Sequence, residues 1–189
     1  MTGGGARSVI LVGFMGAGKS TVGRFLARRL GVCFVETDDM IAARAGKPVP
    51  AIFAEHGEPH FRALEAETLA LLDDKQAHVI ATGGGFPCRP GAMERLRALG
   101  TVVWLAGDFD ALYERASRLG ARPMLAGRSR EEAAALYESR KPYYGQAHFA
   151  VDSTHLGVDG VVSRILRHVR ERDRATRAAS PGVPAKPTA

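Results

Sequence analysis

The chain is poor in cysteine and has no long hydrophobic run. Only two of its 189 residues are cysteines, and the spacing of Cys33 and Cys88 matches neither a zinc motif nor a redox motif. We therefore expect reduced thiols and a cytoplasmic location. The six histidines form no ligand set with a third candidate, so no zinc site is predicted. The apolar stretch VILVGFMGAG is too short to span a bilayer and is not followed by a cleavage pattern, so neither a membrane segment nor a signal peptide is expected.

Acidic residues are in the minority, but the basic excess is local. The formal net charge is +6, which raises the question of nucleic-acid binding. From Arg164 onward seven Lys or Arg residues stand against Glu171 and Asp173, whereas residues 1–163 carry a net charge of only +1. The sequence therefore predicts no nucleic-acid partner. A solvated, arginine-rich final helix accounts for the excess, and contact of that helix with an anionic partner is the alternative.

Apolar runs alternate with helical patterns along the chain. This alternation predicts an α/β fold with one five-stranded parallel sheet covered by helices on both faces, in three layers. The expected strands are 8–12, 32–36, 78–81, 101–106 and 148–152. The expected helices are 19–30, several within 39–74 broken near 46–50 and 56–59, one after Pro90, one from near Asp108, 131–141 and 157–172. Residues 119–130 have no periodicity and read as a mobile loop, residues 173–189 read as a disordered tail, and residues 1–172 form one domain.

The stretch GFMGAGKST, residues 13–21, fits the phosphate-binding pattern G-x-x-x-x-G-K-[ST] in full. It follows a buried strand and opens an amphipathic helix, which is the structural context that this motif requires. Backbone N–H groups of the loop and the helix N-terminus would hold the β-phosphate, while the lysine would span the β- and γ-phosphates and the serine would ligate Mg²⁺. The predicted nucleotide-binding residues here are Gly16, Ala17, Gly18, Lys19, Ser20 and Thr21.

Three acidic residues lie within VETDDM, residues 35–40, about twenty positions after this motif. In an extended segment, residues i and i+2 point to the same side, so Glu36 and Asp38 would face the site together. Asp39 would then be a solvated residue in the first turn of the next helix, where a negative charge complements the helix dipole. The alternative for Asp38 is a helix N-cap without a substrate role.

Three consecutive glycines, Gly83, Gly84 and Gly85, follow the strand predicted at 78–81. They lie at the carboxyl edge of the sheet, where open α/β sheets bind their ligands. Without side chains, their backbone can touch a substrate directly. A plain turn would rarely need three glycines, so we predict a substrate contact.

Taken together, these motifs resemble those of shikimate kinases. GFMGAGKSTVGRFLA, ETDDMI, IFAEHGEPHFRALE, TGGG and RPML occur in the order and spacing of that family, over residues 8 to about 170. The most discriminating part is GE-x-x-FR-x-x-E, which begins at Gly57. The resemblance implies a P-loop kinase fold with a helical substrate-binding region at about 37–64 and a mobile lid at about 119–130. It implies ATP-dependent phosphorylation of the 3-hydroxyl of shikimate, in aromatic amino acid biosynthesis, with ATP and Mg²⁺.

The same resemblance assigns roles to individual residues. Arg62 and Arg140 match the family's substrate arginines, and their planar forks suit a carboxylate. Asp38 matches the aspartate that holds the ring hydroxyls and can accept the proton of the attacking one. Arg122 lies in the lid and would reach the transferring phosphoryl group, whereas Arg115 would flank adenine. These matches make Lys19, Asp38 and Arg122 the predicted catalytic residues.

The chain departs from the family at two places. Relatives usually have aspartate where this chain has Glu36, near Mg²⁺. Because Mg²⁺ tolerates little distortion of its coordination, we expect Glu36 to act through a metal-bound water while function is retained, with Ser20 as the other metal-site residue. A further adenine-side arginine of some relatives falls near His155 and Leu156, so that contact is lost or replaced.

Two alternatives remain open at this stage. One keeps the fold but changes the acceptor to gluconate or another small hydroxy acid. The other is a degenerate P-loop protein that binds nucleotide as a regulatory module, which Glu36 and the missing arginine would favour. The expected partner is a small molecule, and the expected assembly is a monomer without a nucleic-acid or membrane partner.

Overall fold

A parallel five-stranded sheet forms the centre of the molecule. The computed structural model describes residues 7–73, 75–118 and 128–179. The strand order is β2-β3-β1-β4-β5, with every neighbouring pair parallel. The strands are β1 (Ser8–Val12), β2 (Cys33–Glu36), β3 (His78–Ala81), β4 (Gly100–Ala106) and β5 (Phe149–Asp152). The predicted α/β class and five-stranded parallel sheet are confirmed.

Seven helices accompany the sheet within the described residues. They are α1 (Lys19–Leu30), α2 (Thr37–Ala45), α3 (Val49–Leu71), α4 (Ala92–Leu99), α5 (Phe109–Arg118), α6 (Arg130–Tyr144) and α7 (Val158–Ala179). Every residue of β1 is buried, which agrees with its uniformly apolar sequence and requires cover on both faces of the sheet. The helix predicted over 19–30 is found with those bounds. None of the helices in the described part of the chain is both long and apolar enough to cross a membrane.

The predicted helical stretch at 39–74 consists of α2 and α3. α2 begins at Thr37, two residues earlier than expected, and a loop separates it from α3 near the predicted break at 46–50. The second predicted break is a bend inside α3, at Gly57, whose φ is 73°. A residue with a Cβ adopts this left-handed conformation at a cost, so glycine permits the bend. α2 and α3 pack through a small core of their own, formed by Ile41, Ile52 and Phe61.

Two helices are longer than predicted. α6 runs from Arg130 to Tyr144, so the last residue of the predicted loop at 119–130 is helical. α7 continues to Ala179, so the predicted disordered tail is wrong for residues 173–179. Arginine and alanine are good helix formers, and the Thr176 hydroxyl donates to the carbonyl of Arg172 at 3.0 Å. Residues 119–127 of the predicted lid and residues 180–189 of the tail lie outside the described residues.

Candidate active site

The loop between β1 and α1 has the geometry of a phosphate-binding loop. The Lys19 ammonium donates to the carbonyls of Gly13 at 2.8 Å and of Phe14 at 2.9 Å, which holds the lysine across the loop. Gly16 has a φ of 79°, and a Cβ there would lie 2.1 Å from the carbonyl oxygen of Leu112 on α5. The loop can therefore pack against α5 only with glycine at this position, and its backbone stays free to face a phosphate.

Ser20, at the second position of α1, contacts the end of β2. Its hydroxyl donates to Glu36 Oε1 at 2.5 Å, and Arg24 Nη2 lies 3.7 Å from Glu36 Oε2. The cavity that holds Ser20 and Glu36 also contains Lys19 and Asp38. A hydroxyl and carboxylates are the oxygen donors that Mg²⁺ accepts, and this ion usually takes only one or two protein ligands besides phosphates and waters. The donor set therefore fits Mg²⁺. Because the serine hydroxyl donates its proton to the carboxylate, Glu36 orients the Ser20 hydroxyl from the side of β2.

A second cavity, of about 430 Å³, extends from the loop toward β5 and α7. Arg115 forms part of its wall and donates to the carbonyls of Ser153 at 2.7 Å and of Thr154 at 3.0 Å. The guanidinium thereby fixes the β5–α7 loop. The remaining wall is largely apolar and is built by Val22, Arg118, Leu156, Val158 and Val161 among others. This shape, beside a phosphate loop, suits a nucleoside. Sequence reasoning predicted Arg115 in the wall but missed Arg118.

The position of the missing adenine-side arginine is occupied by an ion pair. The ring Nδ1 of His155 lies 2.7 Å from Asp152 Oδ2. Hydrogen bonds from Thr154 and His155 hold the pKa of Asp152 well below its ordinary value, and the hydrogen bond to Asp152 raises the pKa of His155. The contact with Asp152 thus favours the protonated form of His155, while Leu156 lines the cavity.

A third cavity, of about 90 Å³, adjoins the phosphate loop on the other side. It shares Asp38, Gly83 and Gly84 with the cavity of the loop. All six predicted substrate residues line it together: Asp38, Arg62, Gly83, Gly84, Gly85 and Arg140. These residues come from α2, α3, the loop after β3, and α6. The structure thus brings an acid, two guanidinium groups and exposed backbone together beside the phosphate-binding loop.

Each of the three glycines faces a charged side chain of this third cavity. A Cβ on Gly83 would lie 2.5 Å from Asp38 Oδ1, and a Cβ on Gly85 would lie 2.6 Å from Arg62 Nη1. On Gly84 it would lie 3.3 Å from Arg140 Nη1. The first two distances are shorter than real Cβ contacts, so a side chain at Gly83 or Gly85 would displace the end of Asp38 or Arg62.

Arg62 is held in place by a carboxylate on each side. Its Nη2 donates to Glu58 Oε1 at 2.6 Å, and its Nη1 donates to Glu65 Oε2 at 2.7 Å. Glu65 is buried, and Arg89 approaches it to 3.8 Å. Burial raises the pKa of Glu65, and its pairing with Arg62 opposes this rise. The ion pairs fix the fork of Arg62 before any substrate arrives. Arg89 was missed by sequence reasoning.

Arg140 and Tyr144 lie one turn apart on α6. Arg140 is buried, and its guanidinium lies 5.9 Å from the ring centre of Phe14. The hydroxyl of Tyr144 donates to the carbonyl of Gly84 at 2.7 Å, so α6 holds both the cation and the glycine loop. Burial raises the pKa of Tyr144 far above its ordinary range, so the hydroxyl stays protonated. KPYY follows Arg140 in the sequence, but nothing in that sequence indicates that Tyr144 contacts the glycine loop.

The acidic cluster differs in geometry from the prediction. Because α2 begins at Thr37, Glu36 ends a strand and Asp38 lies in the first turn of a helix. The prediction that Glu36 and Asp38 belong to one extended segment is therefore wrong. Both side chains nevertheless line the cavity of the phosphate loop. Thr37 is buried, and its hydroxyl accepts from the N–H of Gly83 at 2.9 Å, a contact that sequence reasoning missed. Asp39 is exposed, as predicted.

Two aromatic residues close the third cavity. Phe53 and Phe61 both line it, with ring centres 4.6 Å apart, and Phe61 is also part of the small core between α2 and α3. These aromatic residues therefore both line the cavity and pack in the small core. Arg122, the predicted lid residue, lies outside the described residues.

Comparison with known proteins gives a consistent family. The family model for shikimate kinase matches residues 15–170. The shikimate kinase of Bradyrhizobium diazoefficiens is 39% identical over 178 residues, covering 94% of this chain and 86% of that protein. The shikimate kinase of Moorella thermoacetica is 43% identical over 169 residues, covering 89% and 95%. A solved structure of shikimate kinase from Acinetobacter baumannii in complex with shikimate matches with a TM-score of 0.82 and 33% identity, covering 88% and 94%.

The fold is shared more widely than the sequence. A gluconokinase from Sinorhizobium meliloti matches with a TM-score of 0.61 at 19% identity, covering 93% of this chain and 98% of that one. At this identity the likeness shows the fold alone.

Proposed function

This chain belongs to the shikimate kinase family, and on that premise we propose that its two adjoining sites divide the reaction between a donor and an acceptor. ATP is the phosphoryl donor and shikimate the acceptor, and the products are shikimate 3-phosphate and ADP. The observation that carries the proposal is the cavity of about 90 Å³ next to the phosphate loop, where an acid, two arginines and three glycines meet. We call it the acceptor cavity, and the cavity of about 430 Å³ the nucleoside cavity.

The acceptor cavity matches the functional groups of shikimate. The molecule is a small ring with one carboxylate and three hydroxyls. Arg62 and Arg140 both reach the cavity, and their planar forks bind a carboxylate with two parallel hydrogen bonds. The backbone of the glycine loop then contacts the ring edge, because no Cβ stands in the way. Phe53 and Phe61 cover an apolar face of the ring.

Asp38 stands where the two cavities meet, since it lines both the acceptor cavity and the cavity of the phosphate loop. A hydroxyl that attacks the γ-phosphorus from the acceptor side passes this carboxylate. We propose that Asp38 orients that hydroxyl and accepts its proton as the new O–P bond forms and the bond to the bridging oxygen of ADP breaks. The step needs no covalent intermediate with the protein.

The donor side acts by position and charge. The backbone of the loop and Lys19 hold the β- and γ-phosphates, and Arg115 keeps the wall of the nucleoside cavity in place through the β5–α7 loop. When bound, Mg²⁺ neutralises charge on the phosphate oxygens. We propose that Ser20 contacts this ion directly and that Glu36, behind the serine hydroxyl, supports it through water. We propose that Arg122, in the lid, adds a positive charge near the transferred phosphoryl group.

The remaining assignments concern the protein as a whole. We propose a monomer in the cytoplasm that acts on a small molecule and has no nucleic-acid or membrane partner. Cys33 and Cys88 are free thiols, which supports a reducing compartment. The basic residues of α7 are mainly exposed, which supports a solvated helix.

The test is ADP release from Mg·ATP with and without shikimate. We expect turnover that requires shikimate and that disappears in Asp38→Ala, while gluconate and a nucleoside monophosphate give no more release than buffer. Stimulation by gluconate instead would move the acceptor to another hydroxy acid. ATP binding without stimulation by any acceptor would favour the regulatory alternative.

A further inference from the structure

The opposite edge of the sheet carries a group of basic side chains that the kinase reaction does not use. Arg7 directly precedes β1, Arg97 lies in the last turn of α4 just before β4, and His148 directly precedes β5. Because β1, β4 and β5 are neighbours and parallel, these residues lie together at the amino edge. The phosphate loop and the acceptor cavity lie at the carboxyl edge. We call these residues, with Arg172, the amino-edge cluster.

Hydrogen bonds to the backbone hold Arg7 and Arg97 in place. Arg7 Nη2 donates to the carbonyl of Ala98 at 3.1 Å, and Arg97 Nη1 donates to the carbonyl of Gln146 at 2.5 Å. Each arginine therefore joins two segments of the amino edge and has further N–H groups left, since a guanidinium carries five. These tethers orient the guanidinium groups without neutralising them.

His148 is fixed in one tautomer. The backbone N–H of Val102 donates to His148 Nδ1 at 2.9 Å, so in the neutral ring the proton is on Nε2, which can donate. Burial is the main cause that lowers the pKa of His148 to about 4, and the charges of Arg172, Arg97 and Arg7 contribute to the same shift. The ring is thus a neutral donor surrounded by cations near pH 7.

Arg172 reaches the cluster from α7. The ring of His168 packs on Phe149 at the start of β5, with centres 4.5 Å apart, and Arg172 lies one helical turn further on. Its side chain is half-buried. Burial, Arg7 and Arg97 lower the pKa of Arg172, and Asp173 is the carboxylate that opposes them. No ion pair between the described residues involves Arg7, Arg97 or Arg172.

We propose that the amino-edge cluster is a binding site for a dianionic phosphate group. The tethered guanidinium groups of Arg7 and Arg97, that of Arg172 and the imidazole N–H of His148 come from four segments of the chain. Arginine forks match the geometry of phosphate oxygens. A dianion would offset the mutual repulsion of the three arginines, with Asp173 balancing part of the charge. The phosphate belongs either to inorganic phosphate or to a small phosphate monoester, since both present the same oxygens. The site is independent of the kinase reaction.

The experiment follows the side chain of His148 by nuclear magnetic resonance, because phosphate can also bind the phosphate loop. The protein is first saturated with Mg·ADP, and inorganic phosphate or glycerol phosphate is then titrated at constant ionic strength. A bound dianion favours the imidazolium, so we expect saturable shifts of the His148 ring resonances and a rise in its pKa of about 1 to 3. The ring of His155, at the carboxyl edge, is the internal control. Tighter binding of one of the two ligands identifies the source of the phosphate.

Arg172→Gln is expected to weaken phosphate binding at this site about tenfold. Arg164→Gln removes the same charge from an exposed position of the same helix and is expected to leave binding unchanged. Without phosphate, Arg172→Gln should unfold at a temperature no lower than the parent, because one repelling cation is removed. Equal shifts of His148 with chloride, no response to either phosphate ligand, or equal phosphate binding by Arg172→Gln and the parent would overturn the proposal.

Discussion

The nucleoside cavity and the acceptor cavity lie on either side of the same phosphate loop, but the chain builds them from different parts. The donor side consists mainly of loop backbone at 13–18 and of apolar side chains such as Val22 and Leu156, with Arg115 and Arg118 in its wall. The acceptor cavity consists of charged side chains whose positions depend on one another. A consecutive motif can encode the phosphate loop of the donor side, whereas the acceptor cavity requires contacts between distant segments.

The two sides also use glycine differently. On the donor side, glycine at position 16 avoids a clash with the backbone of α5, because a Cβ there would lie 2.1 Å from the carbonyl oxygen of Leu112. On the acceptor side, Gly83 and Gly85 leave room for the side chains of Asp38 and Arg62, respectively. Substitutions on the acceptor side should therefore weaken the binding and turnover of shikimate and leave nucleotide binding unchanged. The following predictions test this separation.

The largest effect is expected for Asp38→Asn. Loss of the carboxylate that orients the hydroxyl and accepts its proton should reduce kcat about 10²- to 10⁴-fold. The Kd for Mg·ADP, measured by calorimetry, should change by less than about threefold, which is a small free-energy difference. Asp39→Asn is the matched control, because the neighbouring aspartate is exposed. An equal loss of activity in both variants would remove Asp38 from its proposed role.

The second effect is expected for Gly85→Ala. The backbone of Gly85 has a φ of −88° and a ψ of −15°, which alanine adopts without strain, so the effect comes from its Cβ against Arg62. A displaced fork should lower kcat/KM for shikimate about 10²-fold. Gly160→Ala, where a Cβ would meet Leu156 at an ordinary 3.6 Å, should leave this constant unchanged. If Gly85→Ala weakened ADP binding as much as shikimate turnover, the two sides would not be separate.

These predictions also show how far the sequence leads. It was sufficient for the sheet and for α1 with its loop, because contiguous motifs and alternating patterns determine them. Arg62 and Arg140 of the acceptor cavity were predicted through the resemblance to the family. The sequence was not sufficient for Tyr144, which contacts the glycine loop from 60 positions away. The start of α2 at Thr37 was also missed, since a strand that passes directly into a helix leaves no turn residues to mark the boundary.

A smaller effect is expected at the metal site. Glu36→Asp shortens the side chain that accepts the hydrogen bond from Ser20, but a water molecule can fill the gap. We expect kcat and the Mg²⁺ concentration for half-maximal activity to change by no more than a few fold, because Mg²⁺ keeps several waters. Titration of activity with Mg²⁺ at saturating ATP measures both. A near-complete loss of activity would indicate direct coordination by Glu36.

The smallest effect concerns the pH dependence of stability. Burial raises the pKa of Glu65 above its ordinary value of 4.5. Because the folded protein then holds this proton more tightly than the unfolded chain, the contribution of Glu65 to the free energy of unfolding is largest below pH 4.5 and decreases as pH rises through the folded-state pKa. Glu65→Gln cannot titrate. The free energy of unfolding, measured by chemical denaturation from about pH 4 to about pH 7, should therefore decrease less with rising pH in this variant than in the parent. Identical slopes would show that Arg62 and Arg89 cancel the effect of burial.

The most direct test of the account compares shikimate with its methyl ester, which keeps the ring and the three hydroxyls but has no carboxylate charge. If Arg62 and Arg140 bind the carboxylate, kcat/KM for shikimate should exceed that for the ester by at least about 10²-fold, since the buried Arg140 and the half-buried Arg62 lose their hydrogen bonds to the substrate. In Arg140→Lys this ratio should shrink, while the Kd for Mg·ADP stays the same. Equal turnover of shikimate and the ester by the unaltered enzyme would contradict the assignment of the acceptor cavity.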